Sequence, residues 1–457
     1  MTNDKEILGT EPIPKLLFKL AVPTVIAQFV NMLYNIIDRV YIGHMPENSA
    51  LALTGVGVCM PLIMVVSAFA ALVASGGSPR ASISMGRQDY DTAEHILGNC
   101  LTLLVIISAV LTIILVLFNR NILLLFGASE NTIDYASAYM TIYALGTIFV
   151  QLTLGLNAFI TAQGFAKTGM LTVLIGAVCN IILDPVFIFI LNMGVRGAAL
   201  ATILSQAVSC IWCLFFLNGK KTNLHIRKRY LPLQTGVIVP CVTLGLATFI
   251  MQVSESIITV CFNASLLKYG GDIAVGAMTI CTSTMQFAML PMMGIGQGSQ
   301  PISSYNYGAR NADRVKETFT LLLKVCMAYS VILCLAIMLF PGLFAGIFTG
   351  DPELIEYAST ALRIYCAGIF LFGIQIACQL TFTSIGYALD SIVVAVVRKF
   401  VLLIPLIYIV PAIGILSSKA LDVYLAEPIA DIVAVTFTGI LFYFRFRKAL
   451  RSLDTFE

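Results

Sequence analysis

Long apolar runs follow one another along almost the whole chain, and they constrain the fold more than any other feature. A helix that crosses a bilayer needs about 20 mostly apolar residues, and the run 101–118 contains no charged residue. We predict twelve transmembrane helices, at 17–42, 50–74, 97–118, 133–158, 170–192, 197–217, 235–264, 273–297, 318–341, 357–382, 391–411 and 424–446. Barrel strands show alternating runs of about ten residues instead, so the predicted class is an all-α membrane protein.

The composition agrees with lipid as the main solvent. Of the 457 residues, 59% are apolar and only 11% are charged, whereas soluble domains carry roughly 25% charged residues. The mean hydropathy is +0.93. The formal net charge of +3 is too small to indicate binding to nucleic acid. We therefore expect the protein to be embedded in a lipid bilayer and not to bind nucleic acid.

The basic residues are distributed unevenly between the two sides of the predicted bundle. Twenty Lys and Arg residues are assigned to the amino-terminal side, among them Lys5, Arg398 and Lys399, and only four to the opposite side. Positive residues favour the cytoplasmic face. We predict a multi-pass protein of the inner (plasma) membrane with both termini in the cytoplasm.

The sequence contains an internal repeat. A shift of 222 residues superimposes Gly76 on Gly298 and Gly86 on Gly308, and a shift of 217 superimposes Asp38 on Glu255. The chain therefore divides into an amino-terminal six-helix lobe (1–217), a basic cytoplasmic linker (218–233) and a carboxyl-terminal six-helix lobe (234–457). Because each half has an even number of spans, the lobes are expected to be related by a pseudo-two-fold axis along the membrane normal, as in many transporters.

Acidic residues inside the predicted spans are the main candidates for function, because charge at membrane depth is costly. Asp38, Asp184 and Glu255 are such residues. The 1.5 Å rise per residue of a helix gives the depth of each side chain. Five oxygen-bearing side chains are predicted to share the outer half of the first lobe: Asp38, Tyr139, Asn180, Asp184 and Thr202.

These side chains suit an ion site. Asn180 and Asp184 are four residues apart and share a helix face, and Pro185 leaves the carbonyl of Ile181 without a helical donor. Carboxylate, amide and hydroxyl oxygens can hold Na⁺, and a desolvated carboxylate can equally carry a proton. The sequence does not separate these two ions. The competing interpretation is that the side chains only hydrogen-bond helices together.

Glu255 is the candidate in the second lobe. No acid accompanies it on its own helix, and Arg363 is a possible neutralising partner. Membrane-embedded Arg and Lys residues are interpreted as scarce. No phosphate-binding loop, catalytic triad order or metal cluster is recognised, so we expect neither an enzyme nor a nucleotide-binding protein, and no cofactor.

Five separated phrases together resemble the MATE (multidrug and toxic compound extrusion) family, closer to its bacterial drug-efflux and DinF-like branches. The phrases are Pro23 with Asp38-Arg-Val-Tyr-Ile-Gly43, Asn180-Ile-Ile-Leu-Asp184-Pro185, Gly197-Ala-Ala-Leu-Ala-Thr202, Gln297-Gly-Ser-Gln-Pro-Ile-Ser-Ser-Tyr-Asn-Tyr-Gly-Ala309 and Ala426-Glu-Pro-Ile-Ala-Asp431. The resemblance covers nearly the whole chain. It implies a twelve-helix, two-lobe antiporter that exports organic, often cationic, compounds against inward Na⁺ or H⁺.

The resemblance also implies roles for individual residues. Asp38, Asn180, Asp184 and Thr202 match the family's cation or proton site, and Pro23 matches a first-helix bend that moves with protonation. Some members pair the seventh-span Glu with an acid in the tenth span. Here that span, 357–382, offers Gln375 and Gln379 but no acid, so Glu255 is assigned to substrate binding instead.

The sequence thus predicts a monomeric secondary antiporter for a small organic substrate. One alternative is a lipid-linked oligosaccharide or polyisoprenoid flippase of the same superfamily, which needs a cationic cleft for pyrophosphate. The interpreted scarcity of embedded Arg and Lys argues against it. A membrane-embedded enzyme is the second alternative, and no catalytic constellation supports it. The sequence does not identify the substrate, because an apolar cavity that accepts many compounds has no recognisable sequence motif.

Overall fold

The structure, a computed structural model, describes residues 7–45 and 49–454. Its described residues form helices and loops, without strands. We label the long helices in chain order as α1 (Ile13–Gly43), α2 (Ser49–Gly86), α3 (Tyr90–Leu117), α4 (Ile133–Leu145 with Thr147–Ala162), α5 (Ala166–Ile190), α6 (Val195–Leu217), α7 (235–270), α8 (272–308), α9 (Ala312–Leu339), α10 (Pro352–Ser384), α11 (Ala388–Ile413) and α12 (Lys419–Asp454).

The described helices include the predicted spans. Ten of them are long and apolar enough to cross a membrane, and the bent pair that forms α4 adds an eleventh. One of the ten, Thr235–Gly308, holds two helices that meet at Gly271, where φ is 67° and ψ is −162°. Glycine adopts this conformation without steric cost, so α7 and α8 follow each other directly. The predicted class, an all-α protein of twelve transmembrane helices in two six-helix lobes, is confirmed.

Three helices, α4, α5 and α11, depart from straight α-helical geometry. The two parts of α4 meet at an angle of 56°. The end of α5 beyond Pro185 is a π-helix over Val186–Ile190, and α11 contains another over Val397–Leu403. π-Helical turns are rare and often mark functional sites. The fifth helix of each lobe therefore departs from α-helical geometry.

Apolar cores lie within each lobe, and one further core joins Cys241, Ile302 and Tyr305 of the second lobe to the first, where helices of the two lobes pack closely. A Cβ atom on Gly245 of α7 would lie 1.7 Å from the carbonyl oxygen of Leu72 in α2. The Thr24 hydroxyl donates to the carbonyl of Gly294 at 2.6 Å, which joins α1 to α8. These contacts lie in the halves of α1 and α7 where each lobe begins. The lobes are therefore closed on the amino-terminal side.

The segment between α6 and α7 packs on the first lobe. The Gln163 side-chain oxygen accepts hydrogen bonds from the backbone of Asn223 (2.8 Å) and Leu224 (2.9 Å). Arg227 forms an ion pair with Glu94. The predicted division of the chain at 217 and 234 stays a prediction, although α6 ends at Leu217 and α7 begins at 235.

Counting Arg398 and Lys399 among the residues of the cytoplasmic side is wrong, although the predicted span 391–411 already contains them. Both lie inside α11, on its π-helical part, and are only 6% and 4% exposed. Ion pairs with acids of neighbouring helices make their burial tolerable. Lys5, another residue of the same count, lies outside the described residues.

Candidate functional site

The predicted oxygen ligands of the first lobe lie together. The amide of Asn180 on α5 is 3.4 Å from Oδ1 of Asp184 and 3.4 Å from the hydroxyl of Thr202 on α6. All three side chains are buried, with Asn180 and Asp184 fully inaccessible. The spacing of four residues places Asn180 and Asp184 on one face of α5, as the helical period requires.

Asp38 reaches this group from α1. Asp38 is 4% exposed, and its carboxyl group lies within hydrogen-bonding reach of the carboxyl group of Asp184. Tyr139, from the first part of α4, is within hydrogen-bonding reach of Thr202. The structure thus brings together the five side chains that the sequence singled out in this lobe.

Two buried carboxyl groups in contact require a positive partner. Oδ1 of Asp38, Oδ1 of Asn180 and Oδ2 of Asp184 are buried and accept no hydrogen bond from any described residue. Arg39, the next residue along α1, acts on Asp38 only from an exposed position. A proton between the carboxylates, or a hard cation held by these oxygens, satisfies the orphaned acceptors.

Tyr34 belongs to this group although the sequence analysis missed it. Its ring lies one turn before Asp38 on α1, and its hydroxyl reaches Thr202. It also lines the cavity between the lobes. The spacing of four residues between Tyr34 and Asp38 is the sequence signal that could have identified it.

Pro23 lies inside α1 and is buried. The helix continues through it, and the hydroxyl of the next residue, Thr24, which donates to Gly294, also lies 3.1 Å from the carbonyl of Leu20 and 2.8 Å from that of Ala21. Whether α1 bends here during transport stays a prediction. The missing amide of proline makes the helix weakest at this turn.

Glu255 on α7 pairs with a different residue from the one expected. Its Oε1 is 2.6 Å from Nζ of Lys399, whereas Arg363 donates to the carbonyl of Met338 on α9. The expectation that Arg363 neutralises Glu255 is therefore wrong. The Glu255 side chain is 54% exposed and Lys399 only 5%.

A cavity of about 460 Å³ separates the lobes. Most of its walls come from the first lobe, and α7 and α8 contribute the rest. None of the lining residues within 7–45 and 49–454 is charged, and amide groups recur on both sides: Gln28, Asn31, Asn157, Gln206, Gln252, Gln297 and Gln300. Gly176, Ala177 and Tyr34 place its wall within about one helical turn of Asn180 and Asp38. The carboxyl site therefore adjoins the cavity.

Comparison with known proteins places this geometry in context. The family model MatE matches residues 23–186 and 247–409, one segment in each lobe. The multidrug export protein MepA of Staphylococcus haemolyticus is 25% identical over 422 residues, which cover 92% of both chains. Both matches extend over most of the chain.

Solved structures share the fold. A crystal structure of MATE in the bent conformation aligns with a TM-score of 0.92 at 23% identity, covering 100% of each chain. An outward-facing multidrug resistance MATE family transporter of the MOP superfamily aligns with a TM-score of 0.90 at 24% identity, again over 100% of each chain. The two-lobe arrangement is common to all three proteins.

Proposed function

Because this chain belongs to the MatE family, we propose that it exports organic, cationic, drug-like compounds in exchange for inward H⁺ or Na⁺. In coarser terms, it is a multi-pass membrane transporter for multidrug efflux and not an enzyme. The observation that carries the antiport proposal is the contact between the buried carboxyl groups of Asp38 and Asp184. That pair has acceptors for one small positive ion and no described cation to fill them.

The coupling ion binds at Asp38, Asn180, Asp184 and Thr202, with Tyr139 and Tyr34 closing the site. When the coupling ion binds, the two carboxylates no longer repel each other, because a proton neutralises the pair or a cation bridges it. The two states of the pair favour different positions of α1 relative to α5 and α6. A site whose occupancy differs between conformations shifts the equilibrium between them by its differential affinity. No resident cofactor takes part.

A cationic substrate follows from the excess of acid around the cavity. The pair in the first lobe has no buried basic partner among the described residues, and amide and hydroxyl oxygens line the wall beside it. The negative potential of unbalanced carboxylates raises the local concentration of positively charged ligands in such a cleft. Glu255, half exposed on α7, is proposed to contact the substrate as well.

The scarcity of embedded basic residues was the reason given against the flippase alternative. That reason is wrong, because Arg398 and Lys399 are embedded. The ion pairs that these two residues form are a better reason to reject a flippase. Arg398 lies 3.1 Å from Glu427 and 2.7 Å from Asp431, and Lys399 is paired with Glu255. Since their charges are already matched by acids, they offer no free cationic cleft for a pyrophosphate.

We propose an inner (plasma) membrane protein with both termini in the cytoplasm, acting as a monomer without nucleotide or nucleic acid. In that orientation the closed side of the two lobes faces the cytoplasm. The structure then corresponds to a state that cannot release its cavity contents inward.

The test is efflux of a fluorescent organic cation from proteoliposomes under separately imposed H⁺ and Na⁺ gradients. We expect uphill movement under at least one of the two gradients, and none when both are absent. A companion variant, Glu255→Gln, should slow transport of cations more than transport of a neutral dye. Equal loss of both substrates would remove Glu255 from the substrate site.

A further inference from the structure

A second group of charged residues lies in the carboxyl-terminal lobe. The π-helical part of α11 directs Arg398 toward α12, where its Nε donates to Oδ1 of Asp431 at 2.9 Å and its Nη2 to Oε1 of Glu427 at 3.1 Å. The guanidinium also lies over the ring of Phe372, 4.7 Å from its centroid. Glu427 and Asp431 are four residues apart and share one face of α12.

The charges of this group do not balance. Three carboxylates, those of Glu255, Glu427 and Asp431, face two cations, Arg398 and Lys399. One negative charge is therefore left over. Oε2 of Glu427 and Oδ2 of Asp431 are buried and accept no hydrogen bond from a described residue, and these side chains belong to residues that are 4% and 1% exposed.

The other groups that face the cluster do not supply the missing positive charge. Besides the two cations already counted, they are acids, cysteines and tyrosines of helices packed against α12, and each of these is neutral or negative when it titrates. The titratable groups that act on Glu427 or Asp431, or on their immediate neighbours, are Glu255 of α7, Cys281 of α8, Cys334 of α9, Tyr365 and Cys366 of α10, and Arg398 and Lys399 of α11. An uncompensated charge at this depth is expensive.

We propose that Glu427 and Asp431 hold one proton between them, so that the carboxyl-terminal lobe contains a second protonation site. The proton neutralises the excess charge and satisfies an orphaned carboxylate oxygen. The site takes a proton and not Na⁺, because Arg398 already occupies the inner oxygens and its guanidinium repels a second cation. It differs from the first-lobe site, whose carboxyl pair forms no ion pair with a basic side chain in the described part of the chain.

The cluster also has a connection to the less buried part of the lobe. Lys399 follows Arg398 on α11 and bonds to Glu255, whose side chain is 54% exposed. Glu255 lies one turn beyond Gln252, which lines the cavity. When Glu255 gains or loses its bond to Lys399, the charge balance around Glu427 changes. A cation beside Glu255 is thereby linked to the proton on α12.

Infrared spectroscopy of the purified full-length protein tests the proposal, because a protonated carboxyl group has its own carbonyl-stretch band. The parent is the D38N/D184N variant, which lacks the first-lobe carboxyl pair, so failure of the first-lobe assignment does not affect the result. In that background we compare E427Q, D431N and E255Q/K399Q at neutral pH. E427Q and D431N each remove the unbalanced charge, whereas E255Q/K399Q removes a matched pair.

The expected result is one band that disappears in E427Q and in D431N and persists in E255Q/K399Q. Replacing choline chloride by NaCl should leave the band unchanged. The proposal is overturned if the parent has no protonated carboxyl band, if the band is equal in E427Q, D431N and the parent, or if Na⁺ abolishes it. The first and third of these outcomes need no variant of the cluster to fold.

Discussion

Replacing Asp184 by Asn separates ion coupling from structural stability. The substitution keeps the volume of the side chain and its oxygen acceptor for the Asn180 amide, which lies 3.4 Å from Oδ1 in the native protein. The new amide can donate to Oδ1 of Asp38, which accepts no hydrogen bond from the described residues. One hydrogen bond contributes about 0.5–1.5 kcal/mol, so we expect stability within roughly 1 kcal/mol of wild type.

The effect on transport should be much larger. With one proton exchanged per substrate, a tenfold proton gradient supplies about 1.4 kcal/mol and sustains up to roughly a tenfold substrate gradient. Asp184→Asn removes one of the two groups that hold the ion, so the sustained ratio should fall to about one. Asp38→Asn should behave in the same way. The double variant should be no worse than either single variant, because residues of one site are not additive.

The assay is gradient-driven uptake of a fluorescent organic cation into proteoliposomes, normalised to protein content, with equilibrium binding of the same dye measured in parallel. Gly57→Ala is a suitable control, because no atom lies within 4 Å of a Cβ placed there. Wild-type uphill transport by Asp184→Asn would refute the assignment of the coupling ion to this site. A variant that fails to fold would refute the stability argument.

Three further outcomes are expected. Gly245→Ala should weaken the closure of the lobes on the amino-terminal side, since its Cβ would lie 1.7 Å from a backbone oxygen of α2. The accessibility of cysteines placed in the cavity to a reagent on that side should rise. Unchanged accessibility would contradict the packing argument. Glu255→Gln should lower the free energy of unfolding by about 3 kcal/mol, because it leaves Lys399 buried and unpaired. The E255Q/K399Q variant should recover most of the thermal stability. Equal melting temperatures of the two variants would contradict this expectation. A cysteine placed in the linker 218–233 should react with impermeant reagent only from the cytoplasm, and labelling of intact cells would reverse the orientation.

The sequence predicts the helices well because apolar length is a direct requirement of the bilayer. It also indicates where α7 ends, since the break at Gly271 lies in the gap between the predicted spans 235–264 and 273–297. The bend in α4 was not predicted; no proline lies at its junction, where Gly146 approaches the side chain of Ile203 too closely for a Cβ atom. The presence of a helix can thus be predicted from its own residues, whereas its bends depend on packing against neighbouring helices.

The first-lobe site was predictable for a similar reason. Asp38, Asn180 and Asp184 are rare residue types in apolar spans, and a fixed rise per residue gives their depth. Tyr34 was missed because a tyrosine in a span is common. In the second lobe the acids that matter lie on α12 and the bases on α11, so their pairing depends on contacts between helices that spacing along one helix cannot show. Arg398 and Lys399 were counted on the cytoplasmic side although the predicted span 391–411 contains them, so that error was avoidable from the sequence.

The most direct test of the central claim reverses the direction of coupling. Proteoliposomes are loaded with the organic cation and diluted into dye-free medium, with no H⁺ or Na⁺ gradient imposed, and ion movement is followed with an internal pH indicator and with radioactive sodium. Linkage is reciprocal, so an outward substrate gradient should drive H⁺ or Na⁺ inward, and D38N/D184N should abolish that movement. Substrate efflux at the wild-type rate with neither ion moving would contradict antiport through the Asp38–Asp184 site.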